Sequence, residues 1–259
     1  MSYLFYILGL APSLVWLTFY LRKDKHPESN WMILTTFVFG MAVSLLALVA
    51  ELTFETLRPI LSAKAQALAI NNNWLGEAFV AHYGGFISLL AAIFIDGAFI
   101  EEYAKYKVAR AWMFNSSDVD EPIDIMLFVI ISALGFAAME NIMVLHNQSF
   151  QAALTASDVL ITIGWRFVSA TFLHALCSGV VGFFLAWSIY KGRRNYRYIA
   201  LGLLTAIILH GIYNWAIMEG GSRIKIIVPA AILLLLSAVV AYGFQKLKSI
   251  KSTCLIKTF

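Results

Sequence analysis

Charge is scarce in this chain. Asp, Glu, Lys and Arg make up 13% of its 259 residues, against 61% hydrophobic. A soluble domain carries about 25% charged residues, so these side chains cannot build a water-facing surface and a soluble globular fold is excluded. Cysteine is nearly missing as well. Of the two present, Cys177 falls inside an apolar segment and Cys254 in a basic tail, so both are expected to be reduced and no disulfide framework is expected. The ending CLIKTF lacks the Cys four residues from the terminus that prenylation needs. No HExxH zinc signature occurs. The net charge of +4 lies in short loops, which does not suggest a nucleic-acid partner.

What the chain has is long apolar runs, with a mean hydropathy of +0.78. At about 20 residues per crossing they predict an all-α, polytopic membrane bundle of about seven transmembrane helices, forming one domain over residues 1–259. The expected spans are roughly Ser2–Leu21, Trp31–Ala50, Ala78–Phe114, Ile123–Leu145, Trp165–Tyr190, Tyr198–Met218 and Ile224–Phe244. The first has no basic residue before it and no small-residue cleavage site after it, so it reads as a retained helix and not a signal peptide. Between the second and third spans, Glu51–Glu77 is polar, with a short interfacial helix expected near Leu61–Ala69. Asn147–Asp158 reads as a loop. Seven crossings put Arg58, Lys64, Arg166, Arg223 and Lys225 on one side and the remaining 14 of 19 basic residues on the other. That bias predicts an outside N-terminus and a cytoplasmic C-terminus.

Against this background a few polar residues stand out. A carboxylate at the bilayer centre costs about 2.5–3.5 kcal/mol even on lenient scales. The stretch FIEEYAKYK places Glu101 and Glu102 at the end of an apolar run, with Lys105 one turn past Glu101 on the same face. FAAMEN places Glu140 about 17 residues into its span, beside Asn141. HALCSG sets His174 and Ser178 one turn apart, and HGIYNW does the same for His210 and Asn214. Three carboxylates alone would cost about 8–10 kcal/mol, comparable to the whole stability of a typical domain. Groups that expensive must face one another or a wet cavity. Each motif alone has an ordinary reading: snorkelling carboxylates for Glu101 and Glu102, interhelical hydrogen bonding for Glu140, a packing histidine for His174. Four motifs on four spans favour a shared centre.

In order and spacing, EExxK, FxxxEN, HxxxS and HxxxN resemble the PrsW family of intramembrane proteases, which is grouped with the type II CAAX prenyl endopeptidases. The resemblance covers about Phe99 to Trp215. Family members often carry Asp-Gly before the second motif, whereas Asp124 is followed here by Ile125. Asp96 is outside the pattern and lies about 140° around the helix from Glu101, a place for packing or water access. The resemblance implies first-site cleavage of a membrane-anchored, anti-sigma-factor-like protein at the cell membrane.

Carried over from the relatives, Glu101 becomes the general base and Glu140 assists it or shares its proton. His210 and Asn214 hold the oxyanion, His174 orients water or protonates the leaving group, and Glu102 anchors to Lys105 or a neighbouring helix. Asn141 and Ser178 support the site. No cofactor is required in this glutamic version. A zinc version would use His174, His210 and Glu140. Because the four groups must meet, the third helix is expected to run on to Phe114. Two rivals use the same residues differently: a proton- or ion-coupled transporter with Glu and His relays, and a non-catalytic membrane scaffold. No pair of Gly/Pro-broken spans marks the inverted repeats common among transporters.

Overall fold

The computed structural model describes residues 3–24, 28–71, 84–85, 88–113, 119–151, 153–190 and 195–250. Almost all of them are helical, and none of the described residues forms a strand. The helices are α1 (Tyr3–Leu21), α2 (Asn30–Asn71), α3 (Ile100–Met113), α4 (Pro122–Gln151), α5 (Ala156–Val168), α6 (Ala170–Tyr190), α7 (Tyr196–Glu219) and α8 (Ile224–Lys248). A π-helical segment, Ala92–Phe99, runs directly into α3. Five stretches among the described residues are long and apolar enough to cross a membrane: Asn30–Ile60, Pro122–Gln151, Ala156–Tyr190, Tyr196–Glu219 and Ile224–Lys248.

α4 is the axis of the bundle, and 94% of its apolar window is buried, against 22% for α8. It packs against α1, α2, α3 and α6. Pro122 through Ala138 is buried without interruption. A helix hydrophobic all round is what such a central position requires. Small residues allow the closest crossing. A Cβ added at Gly40 of α2 would overlap the Ser132 backbone of α4, and one added at Gly135 would overlap the Phe37 backbone. Dispersion contacts at this distance replace the hydrophobic drive that lipid cannot supply.

Three expectations are corrected. α2 does not stop near Ala50 but continues through Pro59 to Asn71. Proline removes one backbone donor, and the Leu, Ala, Lys and Gln that follow are strong helix formers, so the helix resumes. At 42 residues it is about 63 Å long, twice a hydrocarbon core of about 30 Å. The expected loop Asn147–Asp158 is mostly helix, because α4 runs to Gln151 and α5 begins at Ala156. Thr155 and Asp158 form a capping box there: the Thr155 hydroxyl accepts from Asp158 N–H, and the Asp158 carboxylate accepts from Thr155 N–H. The expected fifth span is in turn broken at Ser169, with φ −119° and ψ −92°. Trp16 of α1 stacks on Phe167 and Phe172 either side of the break and donates its indole N–H to the Phe167 carbonyl at 2.9 Å.

α3 does run on, to Met113, with Glu101 in its first turn. The start of the expected third span near Ala78, Phe114, the side chain of Asp96, and Cys254 lie outside the described residues. Cys177 is buried and free.

Candidate active site

Glu101, Glu102, Lys105, Glu140, His174 and His210 come together from α3, α4, α6 and α7. The closest oxygen of Glu101 lies 3.6 Å from His174 Nδ1 and 3.9 Å from His210 Nε2. The local reason begins in α3. Glu101, Glu102 and Lys105 stand at i, i+1 and i+4, so the Lys105 stem reaches back over both carboxylates. Its Nζ donates to Glu102 Oε1 at 2.9 Å and to Glu101 Oε2 at 3.1 Å. A third donation reaches His174 Nδ1 at 2.7 Å. The ammonium also rests 4.3 Å from the Phe136 ring centroid, and the side chain is fully buried. Three ammonium protons thus find three acceptors, which is what allows a lysine to be buried at all.

Those bonds assign the histidine protons. His174 Nδ1 accepts from Lys105, so Nε2 carries the hydrogen and donates to Glu140 Oε2 at 2.7 Å. The other oxygen of Glu140 is 3.0 Å from an Arg166 guanidinium nitrogen. His210 Nδ1 donates to Glu102 Oε1 at 2.8 Å, which turns Nε2 toward Glu101. The two rings meet edge to face at 5.2 Å. Glu102 is buried, and its Oε2 has no partner among the described residues.

Two cavities meet at the carboxylates. The smaller, about 220 Å³, is lined by Glu101, Glu140, Arg166, His174, His210 and Asn214, among others. The larger, about 800 Å³, runs between α1, α2 and α4, and Glu101 and Glu140 line it too. Asn214 is thus beside His210 in the small cavity. Asn141 holds the scaffold instead: its Nδ2 donates to Gly9 O at 3.3 Å and to Thr171 Oγ1 at 3.1 Å, and its Oδ1 accepts from Arg166 Nε. Ser178 lies one turn further along α6 and lines neither cavity; its hydroxyl is buried without a partner among the described residues. Asp124 caps α4, accepting from the N–H groups of Asp120 and Glu121.

Arg166 was not singled out in the sequence except as an outer-side charge. Its signal was a lone cation just inside an apolar run, the same kind of anomaly that exposed Glu140. The break at Ser169 sets α5 apart from α6 and brings the guanidinium onto Glu140.

Glu101, Glu102, His174 and His210 each offer a ligand atom within 4.8 Å of the others. Two imidazoles and two carboxylates are donors of the type zinc accepts, so the residues fit a metal chemically. The set differs from the expected one. Glu140 is held at the far edge of the His174 ring by Arg166, while Glu101 and Glu102 face the near edge. Lys105 Nζ already sits at bonding distance from three of those four side chains.

A multi-pass helical membrane protein with carboxylates and imidazoles gathered beside a cavity fits the class of intramembrane hydrolases. Comparison with known sequences specifies it. A family model described as PrsW family intramembrane metalloprotease matches residues 28–243, and the chain belongs to that family. It is 27% identical over 228 residues to Protease PrsW of Oceanobacillus iheyensis, covering 87% of this chain and 88% of the relative. With Protease PrsW of Geobacillus kaustophilus it shares 26% over 211 residues, 81% and 78% of the two chains. The Bacillus subtilis Protease PrsW is 22% identical over 246 residues, 94% of each. No solved structure matches the chain.

Proposed function

We propose that this protein is a Glu-dependent endopeptidase that cuts a membrane-anchored protein in or near its spanning segment. Glu101 is the general base. The observation that carries this role is its position: it lines both cavities, is partly exposed, and lies within 4 Å of both imidazoles. Water in the small cavity gives a proton to Glu101 as its oxygen attacks the scissile carbonyl carbon. The C–N bond then breaks, and Glu101 passes that proton to the leaving nitrogen, giving a carboxylic acid and an amine. His210 Nε2 and the Asn214 amide hold the oxygen that becomes negative. For Nε2 to donate, His210 must carry both ring protons, and Glu102 at Nδ1 stabilises that cation. His174, held between Lys105 and Glu140, keeps the ammonium aligned on Glu101 and is a positioning group in this scheme.

One domain carries the chemistry. The chain crosses the cell membrane seven times with its N-terminus outside, and both cavities lie toward the end where α1 begins and α4 finishes. That position favours a cut near the outer face; the family resemblance adds that it is a first cut, in a substrate of the anti-sigma-factor type.

A zinc-dependent form of the same hydrolysis is favoured by the four-donor group and by the family's description as metalloproteases. Zinc there would supply Lewis-acid polarisation and a more acidic water. Glu101, Glu102, His174 and His210 would hold it, in competition with Lys105.

Purified protein in liposomes, given a single-span reporter, tests the reading. Cleavage lost in Glu101→Gln and retained under strong chelation supports the glutamic form. One zinc per chain, absent from a His174→Ala/His210→Ala variant, establishes the zinc form. Flux driven by pH or voltage without cleavage overturns both.

A further inference from the structure

The small polar cavity has room for water and a carbonyl but not for a peptide segment. We propose that the large groove between α1, α2 and α4 is the substrate channel, and that it takes about five residues of extended, apolar polypeptide leading to the scissile bond. This rests on the proteolytic reading above. The groove is about 800 Å³, within the size range of ligand pockets, about 300–1,000 Å³. Its walls are mainly apolar: Leu48 and Leu52 of α2, Phe136, Ile142 and Met143 of α4. Its continuity with the chemistry is direct, since Glu101 and Glu140 line both spaces and Phe136, beneath the Lys105 ammonium, lines the groove.

The chemistry selects an extended strand over an intact helix. A helix about 10–12 Å across with its side chains takes about 420–610 Å³ per turn, so this volume would hold less than two turns. An extended strand, about 4.8 Å by 10 Å in section at 3.3 Å per residue, fills it with about five residues. Helical amides also have their carbonyls engaged, whereas attack by water needs a free one. An extended backbone then needs partners inside the groove. Ser44 supplies one. It is 1% exposed, lines the groove, and its hydroxyl has no partner among the described residues, although a serine inside a helix ordinarily bonds back to its own backbone. The unspent hydroxyl is a hydrogen-bonding group for the main chain of the bound segment.

A second large cavity of about 690 Å³ provides an internal control. It lies between α1, α6 and α8, lined by Val15, Trp16 and Phe244, and touches none of the catalytic groups.

The test uses the full chain in liposomes with a single-span reporter whose Leu/Ala helix is followed by a Val/Ala/Ser segment. A photoreactive phenylalanine at position 48 or 143, in the Glu101→Gln background, should form adducts with that segment, and one at position 15 should not. In the otherwise unaltered protein, Leu48→Trp and Met143→Trp should lower cleavage at least tenfold, while Val15→Trp leaves it unchanged. Ser44→Ala should raise KM several-fold at constant kcat. Equal labelling at position 15, or adducts at 48 and 143 with lipid only, overturns the proposal; the crosslinks do not depend on the Trp variants folding. Normal cleavage without adducts removes the groove and leaves the protease. Adducts with an unaltered protein that never cleaves remove the protease and leave the groove.

Discussion

α4 divides into two unlike halves: Pro122–Ala138 is buried throughout, while beyond Ala138 only Asn141 and Leu145 are buried and the helix turns polar. From Pro122 to Ala138 the helix packs Phe128, Ile130 and Leu134 against Leu176 and Leu185 of α6 in one apolar cluster. Beyond Ala138 it presents Glu140 and Asn141 to Arg166 and His174. In the first half each contact is small, and the total comes from their number. In the second, each polar group is tolerable only because another meets it, so a single deletion strands a charge. The apolar half should therefore degrade gradually under substitution and the polar half abruptly.

Glu101→Gln should produce the largest change. Turnover of a single-span reporter should fall by about 10²–10⁴-fold, the usual contribution of a general base, with little change in thermal unfolding in detergent. Lys105→Met should come next. It leaves two carboxylates without their cation, and removing one member of a buried pair costs about 3–5 kcal/mol. The matching experiment in the apolar half is Ile130→Val, expected to cost about 0.5–1.5 kcal/mol. Equal losses of melting temperature would erase the contrast between the polar cluster around His174 and the apolar half of α4.

Arg166→Gln should lower kcat about tenfold while KM holds, because the guanidinium fixes Glu140 from the wall of the small cavity and does not line the groove proposed for the peptide. Arg166→Lys should recover part of the rate, and the pH–rate profile should move between the variants. A purely structural arginine would lower the melting temperature and leave the profile in place.

The smallest effect belongs to the loop before α2. Burial, and then the neighbouring Asp124 carboxylate, push the Glu28 carboxyl up to about 8. Between its unfolded value near 4.5 and about 8, the folded chain holds a proton that the unfolded chain has released. Stability from this group is therefore present at low pH and declines as pH rises through that window. Melting temperatures from pH 5 to 8 should fall slightly more steeply for the natural chain than for Glu28→Gln.

The charges themselves were legible without coordinates. Glu101, Glu102, Glu140, His174 and His210 are conspicuous because lipid penalises each one, and the need to offset that penalty already implied a meeting point. The second helix outruns its expected end at Ala50 because Glu51–Asn71 is polar for a span, yet that stretch is rich in strong helix formers and the one backbone donor lost at Pro59 does not end it. The Thr155–Asp158 capping box was present in the letters and passed over as loop polarity. Arg166 was read only as an orientation charge, since nothing local says that the chain breaks at Ser169.

The sequence alone determined the membrane setting and the cast of polar residues, because hydropathy and the desolvation of charge are properties of the residues themselves. The partnerships were decided by the tertiary structure: Lys105 shared among Glu101, Glu102 and His174, Glu140 turned to Arg166, and a groove opening beside Ser44. A carboxylate accepts from whichever donor packing brings within about 3 Å, and helix crossing, rotation and breaks set that distance.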